Sequence, residues 1–332
     1  MTTPHPVAAP ASRSLPARIL PGAGRAARQA VRRLVMLVVL LGAVFAAVEV
    51  LPGDAAGASS DRGVTAADLA ARRTALGLDR PVAERFWDWM TGLPTGDLGT
   101  TARGQHVTDV LAGPFPNTLL LGGLALALST VGAFALGGWA TLRAGGRVDR
   151  AIDVLSTAAF ALPEFVVSVA LLLLLSQWTG WLPAVTLTGP DGGPESWTMI
   201  VLPLLSLAVP QIGWNTRIVR GALADQAALP HVQAAVLDGL PHRRLLSHHM
   251  LPGALPAIAV GIATSAGMLL GGTVVVETLF NYPGIGSVLA GAVTDRDTPL
   301  VAGVVAAAGA SISLLLMLAD LVRTTVLGDE RR

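Results

Sequence analysis

Residues 117–139 read NTLLLGGLALALSTVGAFALGGW, and none of their side chains is charged. An α-helix rises about 1.5 Å per residue, so about 20 apolar residues are enough to cross the hydrocarbon core of a bilayer. This stretch meets that length, and it is predominantly apolar and uncharged throughout. It therefore predicts a transmembrane helix, and the rest of the chain can be compared with it.

Five further stretches have a similar length and composition. Across the chain 52% of the residues are hydrophobic and 14% are charged, a balance too apolar for an ordinary soluble domain of this size. We therefore expect an all-α integral membrane protein with six transmembrane helices. The five other predicted helices cover residues 34–51, 154–178, 198–214, 254–276 and 299–322.

The first of these stretches follows a basic segment, residues 1–33, that contains six arginines and no acid. A secretory signal peptide has the same order of charge and hydropathy, but its apolar core is usually about 7–15 residues long. Residues 34–51 are long enough to span a bilayer. We therefore expect an uncleaved first helix behind a basic N-terminal segment.

Arginine, which supplies all 23 basic residues, is unevenly distributed among the connecting segments. The N-terminal segment, the loops 140–153 and 215–253 and the C-terminal end carry 16 arginines, and the other three loops carry 7. By the positive-inside rule both termini of this multi-pass protein are predicted to be cytoplasmic. The absence of lysine and the heavy use of alanine, arginine and glycine indicate a GC-rich bacterial genome, so the membrane is predicted to be a bacterial plasma membrane. The predicted order is a cytoplasmic segment 1–33, a first helix 34–51, a large extracytoplasmic first loop 52–116, a transmembrane core 117–324 and a cytoplasmic tail 325–332.

The chain lacks the residues that several kinds of enzyme and metal site require. The chain contains no cysteine, which excludes disulfides and thiolate metal sites, and no lysine, which excludes the lysine of a P-loop ATPase. The metalloprotease pattern H-E-x-x-H and the hydrolase pattern G-x-S-x-G do not occur. We therefore predict a protein that is not an enzyme, with no catalytic residue, no metal site and no cofactor.

The loop 215–253 contains signals for two short helices, since its residues 231–252 read HVQAAVLDGLPHRRLLSHHMLP. Gly239 suits the left-handed conformation that ends a helix, and Pro241 suits the first turn of the next one. The three histidines after Pro241 have no carboxylate near them except Asp238, so they are interpreted as surface residues and not as metal ligands. The sequence predicts a helix-turn-helix elbow that can dock on a cytoplasmic partner.

Ala234 and Ala235, followed after three residues by Gly239, resemble the EAA-type loop of the permeases of binding-protein-dependent ABC importers. Gln233 stands where that loop has its glutamate. Five further fragments, in matching order and spacing over most of the chain, are similar to the dipeptide, oligopeptide and nickel permeases. They are LPGD at 51–54, LGLDRP at 76–81, GDLG at 96–99, VVETLFNYPGIG at 275–286 and RDTPLV at 296–301.

The resemblance implies a permease subunit that forms a translocation pathway for peptides, nickel or related solutes. It implies as partners a second homologous permease subunit, two cytoplasmic ATPase subunits and an extracytoplasmic solute-binding protein, with membrane lipid around the helices and no nucleic acid. In the family the elbow contains the coupling helix, which sits in a cleft of the ATPase. The ATPase-coupling residues carried over to this chain are Ala234, Ala235, Asp238, Gly239, Leu240, Arg243 and Arg244.

Four residues are candidates for the pathway or a gate: Glu164, Glu277, Pro283 and Gly284. Glu164 lies inside the third predicted span, where a carboxylate is costly, and it either lines the pathway or is a structural residue beside a proline kink. Glu277 ends the fifth span before a turn, and it is either part of a gate, as the resemblance implies, or a water-exposed acid.

Three other kinds of protein remain as alternatives. The main one is an ion-coupled secondary transporter that uses Glu164 and Glu277 as proton or ion sites. An intramembrane enzyme and a membrane anchor for a signalling complex are the other two. Transport by the isolated chain, without an ATPase, would favour the first of them.

Overall fold

The protein is a bundle of long helices, as seen in a computed structural model that describes residues 20–58 and 65–329. The predicted segment 1–33 and tail 325–332 therefore lie partly outside the described residues. No strand occurs within the described ranges, and the all-α prediction is confirmed. The helices are α1 (Leu20–Val50), α2 (Ala55–Ala58), α3 (Ala66–Ala75), α4 (Val82–Gly92), α5 (Val107–Ala112), α6 (Pro114–Leu142), α7 (Arg147–Ala161), α8 (Glu164–Leu171), α9 (Thr198–Ala227), α10 (Pro230–Leu237), α11 (His242–Arg244), α12 (Leu251–Phe280), α13 (Ile285–Thr294) and α14 (Thr298–Asp329).

Five of these helices are long and apolar enough to cross a membrane, namely α1, α6, α9, α12 and α14. Four of them contain a predicted stretch and extend beyond it at one or both ends, and α1 begins well before the stretch 34–51 and ends at Val50. The helix α6, for example, begins at Pro114 and ends at Leu142, around the predicted span 117–139.

The third predicted span, residues 154–178, is not a single helix but a broken crossing. The helices α7 and α8 differ in direction by 101°. Pro163 causes the break, because it has no N–H for a helical hydrogen bond and its ring disfavours helical geometry in the residue before it. Leu162 is accordingly extended, with a ψ of 128°. The bent pair, with a π-helical continuation to Trp178, supplies the sixth crossing that the sequence predicted.

The predicted loop 215–253 is mostly helical, because α9 continues to Ala227 and does not end at 214. Val219, Ala222 and Leu223 are buried in an apolar cluster with residues of α6 and α12, so the helix continues although Arg217 and Arg220 make its composition more polar. Burial of an apolar stripe decides the length of a helix more strongly than its average hydropathy does.

On the other side of this loop, α12 also begins earlier than the predicted span 254–276. The short helix α11 passes into a π-helical turn, Leu245–Met250, which passes directly into α12. The two crossings are thus joined by a compact helical segment with little irregular backbone. We call residues 228–250 the elbow.

The described parts of the first loop, residues 51–58 and 65–113, are folded onto the ends of α1 and α14. Phe45 of α1 contacts Phe86 edge-on, with ring centroids 5.3 Å apart, and also contacts Trp89 at 5.4 Å. The Trp89 indole N–H donates to the Leu98 carbonyl at 2.8 Å, which fixes the ring in place. Together with Ala302 and Ala306 of α14, these aromatic rings form one apolar cluster.

The helix α9 lies at the centre of the bundle, in contact with α6, α7, α8 and α12. Glycines allow this close packing. A methyl group at Gly213 of α9 would lie 2.5 Å from the Ser156 carbonyl oxygen of α7, and one at Gly137 of α6 would lie 2.9 Å from a methyl of Val219. Small residues allow transmembrane helices to approach in this way, and here Gly213 brings α9 against α7 and Gly137 brings α6 against α9.

Replacing Gly213 with alanine is expected to destabilise the protein by about 1–3 kcal/mol, the usual cost of overpacking, because the obstacle is backbone that cannot rotate away. Gly221→Ala on the same helix is the matched control, since nothing lies within 4 Å of the added methyl group. Thermal unfolding of the two purified variants in detergent measures the difference. Equal melting temperatures would show that α7 does not pack on α9 as described.

Candidate functional site

The turn of the elbow is a Schellman motif built around Gly239. This residue has a φ of 75°, so the left-handed conformation predicted from the sequence is confirmed. Its N–H donates to the Val236 carbonyl at 3.0 Å, and the Leu240 N–H donates to the Ala235 carbonyl at 3.2 Å. These two bonds satisfy the last carbonyls of α10 and set the angle between α10 and α11.

The inner face of the elbow packs against the bundle. Val232, Ala235, Leu245 and Met250 are buried in the same apolar cluster as the ends of α9 and the start of α12. Among the residues predicted to couple to an ATPase, Ala235 is therefore buried and Leu240 half-buried. The remaining predicted residues are exposed: Ala234, Asp238, Gly239, Arg243 and Arg244.

The outer face of the elbow presents apolar side chains beside positive charge. Leu237 is 88% exposed and Val236 is 55% exposed, at the tip of α10. Arg243 and Arg244 are exposed on the other side of the turn. An apolar tip held rigidly by a Schellman motif and flanked by guanidinium groups is suited to dock on another protein.

Ion pairs tie the helices near the elbow to each other. Arg220 near the end of α9 pairs with Asp149 at 2.7 Å and with Asp153 at 3.1 Å, both on α7. Arg33 of α1 pairs with Asp320 of α14 at 2.7 Å. These pairs join elements that are distant in the chain, so a displacement of α9 would be transmitted to α7.

At the opposite end of α12, Glu277 is fully buried and serves as a hydrogen-bond acceptor for two other elements. Thr118 of α6 donates its hydroxyl to one carboxylate oxygen at 2.7 Å. The Gly286 N–H, at the start of α13, donates to the other at 2.6 Å. Thr118 in turn accepts from the Ile285 N–H at 2.8 Å. Glu277 therefore joins α6, α12 and α13, and it is not the water-exposed acid of the alternative interpretation.

The turn 281–284 after α12 is held by a second set of hydrogen bonds. Tyr282 is buried and donates its hydroxyl to the Asn117 carbonyl at 3.0 Å. Burial, with the Glu277 carboxylate nearby, raises the pKa of Tyr282 to about 12, so the hydroxyl stays a donor at physiological pH. Asn117 donates its side-chain amide to the Pro283 carbonyl at 2.8 Å. A methyl group at Gly284 would overlap the Glu277 carboxylate, so this glycine is needed for the close approach.

The segment 295–297 clamps the first loop, and sequence reasoning did not identify it as a site. Asp297 accepts from the Ala102 N–H at 2.7 Å and from the Leu300 N–H at 3.1 Å, so it also caps α14. Burial raises the pKa of Asp297. Arg296 donates to the Pro52 carbonyl at 2.8 Å. An aspartate just before an apolar helix was the available signal, but the contact with Ala102 depends on tertiary structure.

Glu164 lies apart from the Glu277 cluster, in the first turn of α8. Its carboxylate rests against the bare backbone of α12 at Gly272, where a side-chain methyl group would overlap it. Glu277 is five residues beyond Gly272 on α12, or about 7.5 Å along the helix axis. The four predicted pathway residues therefore divide into one cluster (Glu277, Pro283 and Gly284) and one separate carboxylate.

Residues 133–327 match the family described as the inner membrane component of binding-protein-dependent transport systems, and residues 26–121 match its N-terminal family. A probable peptide ABC transporter permease, y4tP of Sinorhizobium fredii, is 30% identical over 89% of this chain and 96% of its own. The glutathione transport system permease GsiC of Pectobacterium atrosepticum is 29% identical over 87% and 93%. In an inward-facing structure of the MetNI methionine ABC transporter, one chain is similar in fold, with a TM-score of 0.52 and 16% identity over 65% of this chain and 96% of that chain.

Proposed function

This chain belongs to the family of inner membrane components of binding-protein-dependent transport systems, as a transmembrane permease subunit of an ABC importer, and from this premise we propose that its solutes are peptides. Relatives named for a peptide and for glutathione, which is a tripeptide, support that class. The nickel solutes that the sequence resemblance also implied have no support in the names of these relatives.

The proposed partners include ATPase subunits, because the elbow exposes a surface suited to binding another protein. Two ATPase subunits supply the energy, and one of them receives the elbow of this chain. The support is the exposed apolar tip at Leu237 beside Arg243 and Arg244, which is held in a fixed geometry by Gly239. A second, homologous permease completes the pathway, and an extracytoplasmic binding protein delivers the peptide.

The elbow faces the cytoplasm of a bacterial plasma membrane, with both termini on the same side. The positive-inside rule supports this orientation. The helix α1 begins and the helix α14 ends at the elbow end of the bundle, where Arg33 pairs with Asp320, so the arginine-rich segments belong to this end. The first loop and the Glu277 cluster then lie on the outside. In this orientation the ATPases and the binding protein act on opposite ends of α12.

A displacement of the elbow is transmitted to the outer end of the bundle through the continuous helical segment that contains α12. ATP binding closes the ATPase pair and displaces α10, which is joined to α9 by two residues and to α12 by the turn at Gly239. From His242 to Phe280 the chain forms one uninterrupted helical segment of 39 residues, about 55–60 Å long. A tilt of this segment moves Glu277, and with it α13 and the turn 281–284. The bundle thereby alternates between inward-open and outward-open states, with ATP hydrolysed only on the partner chains.

The main observation in support of an ATPase-driven importer is the elbow. A transporter that functions without a partner has no need of an exposed apolar tip between two crossings. The test is to express the tagged chain with the proteins encoded beside it, and to purify it in mild detergent. Two P-loop ATPases and a second permease are expected to copurify. Proteoliposomes of the complex, supplied with the binding protein on the outside, should take up a dipeptide only when ATP is enclosed in their lumen.

An ion-coupled transporter, the alternative kept from the sequence, is not supported, because the matching family and the relatives are ABC permease subunits. The burial of Glu277 among hydrogen-bond donors also gives it a structural task. Peptide uptake by the isolated chain, driven by a proton gradient without any ATPase, would contradict the proposed function.

A further inference from the structure

The break between α7 and α8 leaves irregular backbone in the middle of a membrane crossing. Irregular backbone at such a depth is tolerated only where it is buried in protein or borders a water-filled cavity. Leu162 and Pro163 are exposed on the surface of this chain, and they line a cavity of about 360 Å³. This face of the bundle therefore borders water or a second subunit and not lipid.

Hydrogen-bond acceptors without donors line this cavity. Glu164 is the only charged residue in its lining, and no donor among the described residues satisfies its carboxylate. Gln211 of α9, which is 3% exposed, donates its amide to the Ser265 carbonyl at 3.2 Å. The amide oxygen of Gln211 has no partner in the part of the chain that the structure describes. The Gln211 oxygen is itself enclosed by its neighbours, so the Glu164 carboxylate is the acceptor that a ligand in the cavity can reach, and it carries a negative charge.

The rest of the lining is apolar and includes the aromatic side chains of Phe160 and Phe165 and the thioether of Met268. Aromatic faces attract a cation through the ring quadrupole. A volume of about 360 Å³ falls within the range of about 300–1,000 Å³ that small-molecule sites occupy. The combination suits a small ligand that has an ammonium group on an apolar body.

We infer that this cavity is the subsite of the pathway that receives an ammonium group of the transported peptide, with the Glu164 carboxylate as its counter-ion. The ammonium is either the free N-terminus or the side chain of a lysine, since both have the same chemistry. The inference rests on the proposed function, because it requires the cavity to face a pathway shared with a second permease. Carboxylates inside a membrane protein are retained mainly where they serve such a task.

Uptake by proteoliposomes that hold the full transporter, supplied with its binding protein, tests the inference. Three radiolabelled peptides serve as probes: dialanine, N-acetyl-dialanine and N-acetyl-lysyl-alanine. Glu164→Gln is expected to reduce dialanine uptake at sub-saturating peptide by about tenfold to a hundredfold, the range of one charge-assisted hydrogen bond, and to leave the uptake of N-acetyl-dialanine as it is. Glu164→Asp should recover much of the dialanine uptake. A matching loss of N-acetyl-lysyl-alanine shows that a side-chain amine is also received, and its absence assigns the subsite to the N-terminus.

Two neighbouring glycines of α12 allow a steric test in which Glu164 itself is not substituted. An alanine at Gly272 forces the carboxylate out of its position, and it should reduce dialanine uptake as Glu164→Gln does. An alanine at Gly271 meets nothing within 4 Å and should have no effect. Copurification with the partner subunits, measured for all variants, reports on assembly.

Two results would overturn the inference. One is dialanine uptake by Glu164→Gln at the rate of the unaltered transporter. The other is an equal loss of all three probes together with loss of the second permease on purification, which would make Glu164 an interface residue. Failure of the unaltered complex to import dialanine at all would instead overturn the proposed function.

Discussion

The Glu277→Ala variant is expected to lose peptide uptake and to unfold at a much lower temperature than the unaltered protein. Removing the carboxylate leaves the Gly286 N–H and the Thr118 hydroxyl without their acceptor in a fully buried position. Each unsatisfied buried group costs about 1–3 kcal/mol, and the alanine methyl group cannot accept a hydrogen bond in place of the carboxylate. The contact between α13 and α6 is the one that should open.

Alanine at Gly286 should have a similar effect by a different route. Its methyl group would lie 2.5 Å from the Val274 Cα atom and 2.7 Å from a Glu277 carboxylate oxygen, so α13 must move away from α12. Gly291→Ala on the same helix is the control, since nothing lies within 4 Å of its methyl group. Melting temperature and dialanine uptake are measured on all three variants. Wild-type stability in Glu277→Ala and Gly286→Ala would show that the cluster does not hold this end of the bundle together.

The Leu237→Asp variant is expected to fold normally and yet to lose the ATPase subunit that binds its elbow, and with it peptide uptake. Leu237 is 88% exposed, so a charge there costs the folded chain little, usually within about 0.5 kcal/mol. In a docked complex the same side chain would be an apolar anchor, and losing such an anchor costs about 2 kcal/mol or more, roughly a thirtyfold loss of affinity. Copurification and uptake on one preparation give the two readouts.

Leu187→Asp provides the matched control, because Leu187 is also a surface leucine, 51% exposed, but lies in the loop between α8 and α9 at the other end of the bundle. It should retain the ATPases. Gly239→Val is a second variant of the elbow that keeps the charge unchanged, and it forces a β-branched residue into a φ of 75°. ATPase binding and uptake at the unaltered level in Leu237→Asp would rule out the tip of α10 as the docking surface.

These two predictions concern opposite ends of one helical segment. The elbow exposes Leu237 at the proposed ATPase contact, whereas Glu277 is fully buried between α6, α12 and α13. The 39 residues from His242 to Phe280 connect them without a break, so a local change at one end need not be absorbed by a loop. Glu277→Ala should therefore lose transport while the ATPase stays bound, whereas the elbow variant should lose transport together with the ATPase.

Local features of the chain were predictable because they depend on hydropathy and on backbone geometry. The six crossings follow from apolar length, and the turn at Gly239 follows from the conformational freedom of glycine followed by a proline. The ends of the crossings were less predictable. Because Arg220 is charged, the end of α9 is predicted from the sequence to be a loop. In the structure its guanidinium is paired with Asp149 of α7, and its neighbour Val219 is buried.

The sequence by itself determined an all-α membrane protein, the elbow and the kinds of chemistry that the chain lacks, because each depends on residue types or on neighbours within a few positions. Only the tertiary structure decided the 101° bend of the third crossing, the burial of Glu277 and the cavity beside Glu164. A carboxylate at the end of a span has the same sequence signature whether it faces water or is buried against two neighbouring helices. Its environment is set by residues such as Thr118 and Gly286, which reach it only when α6 and α13 are packed against α12.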